Sequence, residues 1–486
     1  MPPKKRKSEG ENGAAAKRGR KKKTAAQKGD DFSDSDKEPA DIDHEDDDLN
    51  LSTDGGYSEV RIEGSQVSGE LLFCGGTNWD LIGRNQVPKG VKNLGGPNLW
   101  GPHRIEGWSD IKVRTVASGC TACHSIIITT EGKAYSFGRN DKGQLGHGDT
   151  KRRDLPTLIE FLKDFNIVDA ALGKNHSLCL SDRGTVFAFG ENKMGQLGLN
   201  NQTQCVPTPT RIKYKGPPIR RVACGGEFSM IADIRGNLYS FGSPECGQLG
   251  HNTDGQYFVT SSKLAYACEI RPRKVAVFIE KSREGVQPVN DVDVQDIACG
   301  INHTVILDSK NRVFSWGFGG YGRLGHTEPK DELVPRLIKF FDGPKRGAKV
   351  IAAGTCYSMA ISELGQLYLW GQTKSTGEVA MYPKPVNDLQ GWNVRSIGCS
   401  NRSIVVAADD SVISWGPSPT YGELGYGEDK PKSSTQPQEV KKLTGIFIEK
   451  VSCGYGHTLM IAKNDTEEAR EQLKKLPQVA FTNELS

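Results

Sequence analysis

No stretch of the 486-residue chain approaches the run of about 18 apolar residues that a bilayer-spanning helix needs, so membrane insertion is not expected. The N-terminus opens on positive charge but lacks the apolar core that follows it in a secretory signal. A nucleophile beside a base, a phosphate-cradling glycine loop and a carboxylate pair at catalytic spacing are all missing. Covalent catalysis is therefore not expected, and no cofactor is implied. Charged residues make up 25% of the chain and mean hydropathy is −0.51, the balance of a water-soluble protein.

A disulfide framework is not expected either. The twelve cysteines are scattered from Cys74 to Cys453, and four of them (Cys224, Cys299, Cys399, Cys453) recur at one position of a repeat, flanked by Ala, Ser or Gly. That recurrence reads as a small buried hydrophobe. Cys120 and Cys123 form the only C-x-x-C pair, and without a second pair of ligands no metal site is expected. Reduced thiols fit a nuclear or cytosolic setting.

What is present begins with segregated charge. Residues 1–28 carry eleven Lys or Arg against Glu9 and Glu11, and residues 30–48 carry eleven Asp or Glu against Lys37. Blocks of like charge with few aliphatic residues bury too little surface to offset chain entropy, so residues 1–57 read as a disordered tail. Lys4, Lys5, Arg6 and Lys7 follow two prolines; Lys17, Arg18, Arg20, Lys21, Lys22 and Lys23 follow a neutral spacer. Two such clusters on an extended strand are what a nuclear import receptor reads, and they also neutralise nucleic-acid phosphates. A solvated solubility tail is the plain alternative. Ser33 and Ser35 stand among acids and are candidate phosphorylation sites for acidophilic kinases.

Behind the tail the chain repeats itself. FGRNDKGQLG begins at Phe137, FGENKMGQLG at Phe189, FGSPECGQLG at Phe241 and WGFGGYGRLG at Trp316; weaker copies start at Cys74, Trp370 and Trp415. A second element precedes six of the seven copies: ASGCTACHS from Ala117, ALGKNHS from Ala171, ACGGEFS from Ala223, ACGINHT from Ala298, AAGTCYS from Ala352 and GCSNRSI from Gly398. Short β-branched and aromatic runs broken by Gly turns, such as Glu131-Gly132 and Arg183-Gly184, are strand and hairpin chemistry.

The offset between the two elements carries the topology. The chain opens on a turn element without a partner (Gly75 to Gly83) and closes on a strand element without one (Val451 to Ala462). Pairing them completes a seventh blade from both chain ends and removes open sheet edges. The expected fold is all-β: a seven-bladed β-propeller over residues 58–464, closed by pairing N- and C-terminal strands in one blade, followed by a helix and tail over residues 465–486. The glycines after each aromatic should take positive φ or permit close backbone approach. Phe137, Phe189, Phe241, Trp316, Trp370 and Trp415 should wedge between blades. Asp465 is the expected cap of a helix reaching Leu476 and stopped by Pro477, with Ala469, Leu473 and Leu476 on one face.

These motifs, G-x-x-H-S/T followed by W/F-G-x-N-x-x-G-Q-L-G, resemble those of the regulator of chromosome condensation repeat family, over residues 71–463. The resemblance implies a nuclear, cell-cycle-linked protein that engages small GTPases of the Rac and Ral type, nucleotide-free form preferred, as a guanine nucleotide exchange factor. It implies action in nucleus or nucleolus and, in mitosis, at chromosomes, centromere or kinetochore, spindle and midbody. The family archetype exchanges nucleotide on the GTPase Ran, but its contact residues have no position-by-position match here. The repeat is worn in places: Ser400 and Ser403 replace the Gly and His of the sixth copy, and Phe228 and Tyr357 replace His elsewhere.

Where a partner binds is read from what departs from the repeat. His124, His176, His303 and His457 recur at one position, and His147, His251 and His326 at another, so each is expected to hydrogen-bond within its own blade. The segment between Gly250 and Ile297 exceeds the common spacing by 23 residues (75 against 52 between leading glycines). It reads as an extra hairpin with arms RPRKVAVFIEK and VQPVNDVDV and a tip at Lys281, Ser282, Arg283, Glu284 and Gly285. Lys281 to Gly285 with Val286, Gln287 and Pro288 form the candidate GTPase-binding segment; a passive surface loop is the alternative. A second insertion, Arg84 to Asp110, carries Trp100 and Trp108, either exposed for contact or buried on the adjacent blade. The function expected is a monomeric, non-hydrolytic GTPase regulator. The alternative is a mitotic scaffold on chromatin or microtubules without exchange activity. An enzyme centred in the propeller channel would need polar groups converging at one end of the axis, where the repeats mainly place Ala, Cys and Gly.

Overall fold

The computed structural model describes residues 57, 59–84, 96–374, 379–417 and 421–480. Seven sheets of four or more strands, antiparallel except where Ile279–Ser282 and Gln478–Val479 add in parallel at an outer edge, form a seven-bladed propeller. The innermost strands are Val113–Ala117, Ile167–Leu172, Ile219–Cys224, Val294–Cys299, Ala348–Ala353, Val394–Cys399 and Ile448–Cys453, for the first to seventh blades in that order. The seventh blade is shared between chain ends. Glu70–Gly76 pairs antiparallel with His457–Ala462, with Leu72 opposite Met460 and Phe73 opposite Leu459, and Asn98–Ile105 adds the outer strand. The expected closure is borne out.

The repeat residues are explained by what they touch. The glycine of G-x-x-H lies flat against the ring three residues later: a Cβ on Gly173, Gly300 or Gly454 would stand 2.0–2.1 Å from the histidine Cε1. Gly225 and Gly354 face Phe228 and Tyr357 in the same way. Ser400 occupies this position only in the sixth blade, where Ser403 supplies no ring. The glycine after five of the six aromatics has positive φ (113° at Gly138, 109° at Gly190, 112° at Gly242, 99° at Gly317, 97° at Gly371), whereas Gly416 after Trp415 permits close approach instead, a Cβ there standing 3.0 Å from Ser403 Cα. The aromatics are buried between blades, and Trp316 donates its Nε1–H to the Gln248 carbonyl of the preceding blade at 2.8 Å. Burying each such ring contributes about 1.5–3 kcal/mol.

The histidines divide into two sets. His147, His251 and His326 bond the Ser136, Ser240 and Ser315 hydroxyls of their own blades. The other four do not stay within their blades, contrary to expectation. His124 Nε2 meets Ser177 Oγ at 2.9 Å, His176 meets Ser229 at 3.0 Å, His303 meets Ser358 at 3.0 Å and His457 meets Ser125 at 2.7 Å, each in the next blade. The last of these contacts crosses from the seventh blade to the first. Ser177, Ser229 and Ser358 give their single hydroxyl hydrogen to a carbonyl of the preceding blade, those of Gln144, Gln196 and Arg323. In these three pairs Nε2 must therefore donate, which leaves Nδ1 bare, and Nδ1 indeed has no hydrogen-bond partner. Tyr357 replaces the staple with a phenol that donates to the Ser400 and Ser403 carbonyls of the sixth blade.

The ends of the ring are covered. Helix Glu467–Lys474 is capped by Thr466, whose hydroxyl accepts from the Ala469 N–H, rather than by Asp465. Thr466 is the residue with extended backbone directly before the first helical turn, so its oxygen reaches that amide. Leu473 and Leu476 bury against Val440, Leu443 and Ile446, and Gln478–Val479 pairs along the outer edge of the seventh blade. Before the first strand, Val60 and Ile62 pack on the second and third blades, and Tyr57 lies under the Arg235 guanidinium.

Burial holds these imidazoles neutral, at about 3 for His124 and His457 and about 4 for His176. Their folded values lie below the unfolded value near 6.5, so as pH falls from 6.5 towards 4 the unfolded chain gains protons that the folded chain does not. Stability should be full above about pH 6.5 and decline by up to about 1.4 kcal/mol per pH unit per histidine below it. His176→Phe, the residue the third blade already carries, should cost about 1–2 kcal/mol at pH 7. It should also flatten the acid limb by one proton in urea titrations between pH 7 and 4.5.

Candidate functional site

The long insertion builds two hairpins where one was expected. Its first arm divides: Glu269–Lys274 is the outer strand of the third blade, and the hairpin proper is Ile279–Ser282 with Gly285–Pro288. Ile279 pairs with Arg336, so the hairpin continues the sheet of the fourth blade to six strands. The turn falls at Arg283 and Glu284, with Gly285 at φ 127°. Ser282, Arg283, Glu284, Gly285, Val286, Gln287 and Pro288 are all exposed.

Lys281 is different. Its Nζ lies 2.8 and 2.7 Å from the two oxygens of Glu332, a buried carboxylate that also accepts from Arg336 at 2.8 Å. Lys281 is therefore a tie between hairpin and blade and not part of the free tip. Lys339 and Glu280 form a second tie. Together they turn a short hairpin, marginal by itself, into a fixed projection.

The second hairpin, Gln256–Thr260 with Lys263–Tyr266, forms a sheet of its own and was not anticipated. Tyr257, Phe258 and Val259 are exposed, Phe258 at 73%. Its signal was present as QYFVT and KLAY flanking Ser261-Ser262. Trp108 is buried against Tyr135, whereas Trp100 is partly buried with the Lys432 ammonium 4.3 Å from its ring, so both tryptophans of the Arg84 to Asp110 insertion serve packing. The tail residues Lys4, Lys5, Arg6, Lys7, Lys17, Arg18, Arg20, Lys21, Lys22, Lys23, Ser33 and Ser35 lie outside the described residues.

The axis also differs from expectation. The third residue of each innermost strand is Thr115, Asp169, Arg221, Asp296, Val350, Ser396 or Lys450. Asp169, Arg221, Asp296 and Lys450 thus stand at one level of the channel, and polar groups do converge there. Arg221 Nε is 3.8 Å from Asp296 Oδ1, and Lys450 acts on both carboxylates although it stands across the ring from Asp296. Cys224, Cys299, Cys399 and Cys453 line the channel beyond them, at the strand ends. Burial pushes the Cys224 and Cys453 thiols up to about 12, so they behave as the small hydrophobes the repeat suggests.

A closed ring of seven blades with ordered hairpins on its rim places the chain in the class of seven-bladed β-propellers. The family model for the RCC1-like domain matches residues 64–460, and the chain belongs to that family. It is 60% identical to Protein RCC2 of Homo sapiens over 423 residues, covering 86% of this chain and 81% of the human protein. Among solved structures, Prp20p from Saccharomyces cerevisiae superposes with a TM-score of 0.64 at 19% identity, covering 85% of this chain and 95% of Prp20p. Yeast RCC1 (Prp20) bound to Kap60 gives 0.63 at 18% identity, covering 85% and 92%. The chain is a regulator related to the RCC1 proteins.

Lys281→Met should lower stability by about 1–3 kcal/mol, because Glu332 stays buried with one cation fewer. Arg283→Ala and Glu284→Ala should each stay within about 0.5 kcal/mol of wild type in thermal or urea unfolding.

Proposed function

We propose that this chain regulates small GTPases of the Rac or Ral type without hydrolysing their nucleotide, and that the hairpin on the fourth blade is the contact. One observation carries this reading. Arg283, Glu284 and Val286 stand exposed on a projection anchored by the Lys281–Glu332 and Lys339–Glu280 pairs. A preorganised charged tip with an apolar neighbour loses little entropy on docking. Exchange requires tighter binding to the nucleotide-free GTPase than to the loaded form, since only differential affinity moves that equilibrium.

The basic clusters of the tail are assigned to a nuclear import receptor and to chromatin or microtubules, which carries the protein to chromosomes, centromere and spindle in mitosis. This is supported by the solved relatives, one described bound to Kap60 and the other with its binding properties to Gsp1p and histones. The segregated tail charge also favours a second reading, a scaffold on chromatin or microtubules without exchange activity.

Arg283→Ala, Glu284→Ala and Val286→Ala combined should weaken binding to nucleotide-free Rac or Ral at least about tenfold, with unfolding unaltered. Unchanged affinity rejects the hairpin as the site. Removing residues 1–48 should abolish chromosome association yet leave fluorescent-nucleotide release from a soluble GTPase intact. If full-length protein accelerates release from none of Ran, Rac and Ral, the scaffold reading stands in place of exchange.

A further inference from the structure

The junctions between blades follow a rule that one of them breaks. In the first four blades the second residue of the third strand is covered by a ring from the segment that leads into the blade. Trp108 lies on Tyr135 with ring centroids 4.9 Å apart, Phe165 on Phe187 at 4.6 Å, Tyr214 on Tyr239 at 5.1 Å and Phe278 on Phe314 at 5.6 Å. In the sixth and seventh blades Trp392 and Ile446 join the apolar clusters of Ile413 and Leu72.

The fifth blade keeps the strand residue, Tyr368, but not the cover. Between the short helical turn Lys339–Phe341 and the inner strand run six residues, Asp342 to Gly347, where residues 163–166, 390–393 and 444–447 are four each. None of the six is aromatic or a large aliphatic, and Pro344, Lys345 and Arg346 stand exposed. Phe340 of the turn meets Tyr368 at 4.9 Å and forms one wall, yet a cavity of about 410 Å³ stays open beside it. Leu364 forms another wall and is 75% exposed. It occupies the hairpin position that holds Glu131, Arg183, Arg235 and Lys310 in the first four blades, so the turn itself does not call for an apolar side chain. Lys345 and Arg346 complete the rim, unpaired among the described residues, and the lining contains no carboxylate. Glu363, next to Leu364, is turned away to accept from Asn311 at 2.6 Å.

We propose that this notch docks a linear segment of a partner protein in which an aromatic side chain stands among acidic residues. The ring takes the place that Phe165, Tyr214 and Phe278 hold at other junctions, against Phe340, Tyr368 and Leu364. The acids lie against Lys345 and Arg346. An aromatic anchor inside a charged rim draws affinity from the ring and orientation from the charges. The lining shares no residue with the Lys281 to Pro288 hairpin, so the notch stands apart from the proposed GTPase contact.

The test is fluorescence anisotropy of the full chain with a labelled peptide, Gly-Asp-Glu-Asp-Trp-Glu-Asp-Glu-Gly. It should bind saturably, with Kd below about 100 µM, and at least about tenfold more weakly once its Trp is replaced by Ala or its acids by their amides. Leu364→Ser should weaken binding at least about fivefold, and Lys345→Gly with Arg346→Ser at least about tenfold. Thermal unfolding should not change, since all three side chains are exposed and the φ of 62° at Lys345 suits Gly. Arg283→Ala with Glu284→Ala should leave the peptide's affinity unaltered, which separates this test from that of the hairpin. No saturable binding overturns the proposal, as does an Ala or amide peptide that binds as tightly as the acidic Trp peptide. Affinity that survives both notch variants places the peptide elsewhere and overturns it too. Self-association of the chain that Leu364→Ser abolishes gives the notch to a second copy and overturns the partner reading.

Discussion

Six of the seven blades are each built from one continuous stretch of the ring, but the seventh exists only when Glu70–Gly76 finds His457–Ala462. That pairing joins residues nearly four hundred positions apart, and every other interface in the ring presupposes it. Without it, the first and sixth blades would each expose a face made of large rings and aliphatic side chains. The chain spends further structure on the same seam: His457 reaches Ser125 of the first blade, Phe73 stacks on the His457 ring, and the C-terminal helix and last strand cover the outer edge. A ring sealed this way leaves no blade face uncovered and keeps the remaining sheet edges to the short outer strands.

Between blades the same economy recurs. A histidine donates to a serine one blade on, and the serine passes its hydrogen back to a carbonyl of the preceding blade. At the three interfaces built on His124, His176 and His303 neighbouring blades are thus hydrogen-bonded in both directions inside a region too dry to hold charge. The variants keep the geometry by other means. Phe228 surrenders the bond but keeps the ring against Gly225, and Tyr357 keeps both ring and bond by reaching carbonyls instead. Rigidity of this kind is what lets a short hairpin on the rim act as a fixed projection, since the strand it extends cannot tilt independently of the disc.

Much of the fold was legible because it is written seven times. The aromatic-glycine pair, the G-x-x-H spacing and the unmatched end elements each predict one feature, and recurrence separates them from chance. The single departures were harder. Thr466 caps the helix one residue beyond the acid that pattern favoured. The insertion holds an apolar hairpin, around Phe258, ahead of the charged one, and Lys281 belongs to a half-buried ion pair whose partner, Glu332, lies 51 positions on. Asp169, Arg221, Asp296 and Lys450 share no consensus and differ in type from blade to blade, so no repeat reading would group them.

The amino-acid sequence by itself determined the number of blades, the closure by both chain ends and the residues packed between blades. Those features depend on periodic burial, and burial leaves a periodic trace in composition. Only the tertiary structure decided which hydroxyl each histidine meets, that Lys281 is anchored while Arg283 is free, and that four charges meet on the axis. These depend on side chains brought together across blades, and folding into a ring makes neighbours of residues that no interval along the chain relates.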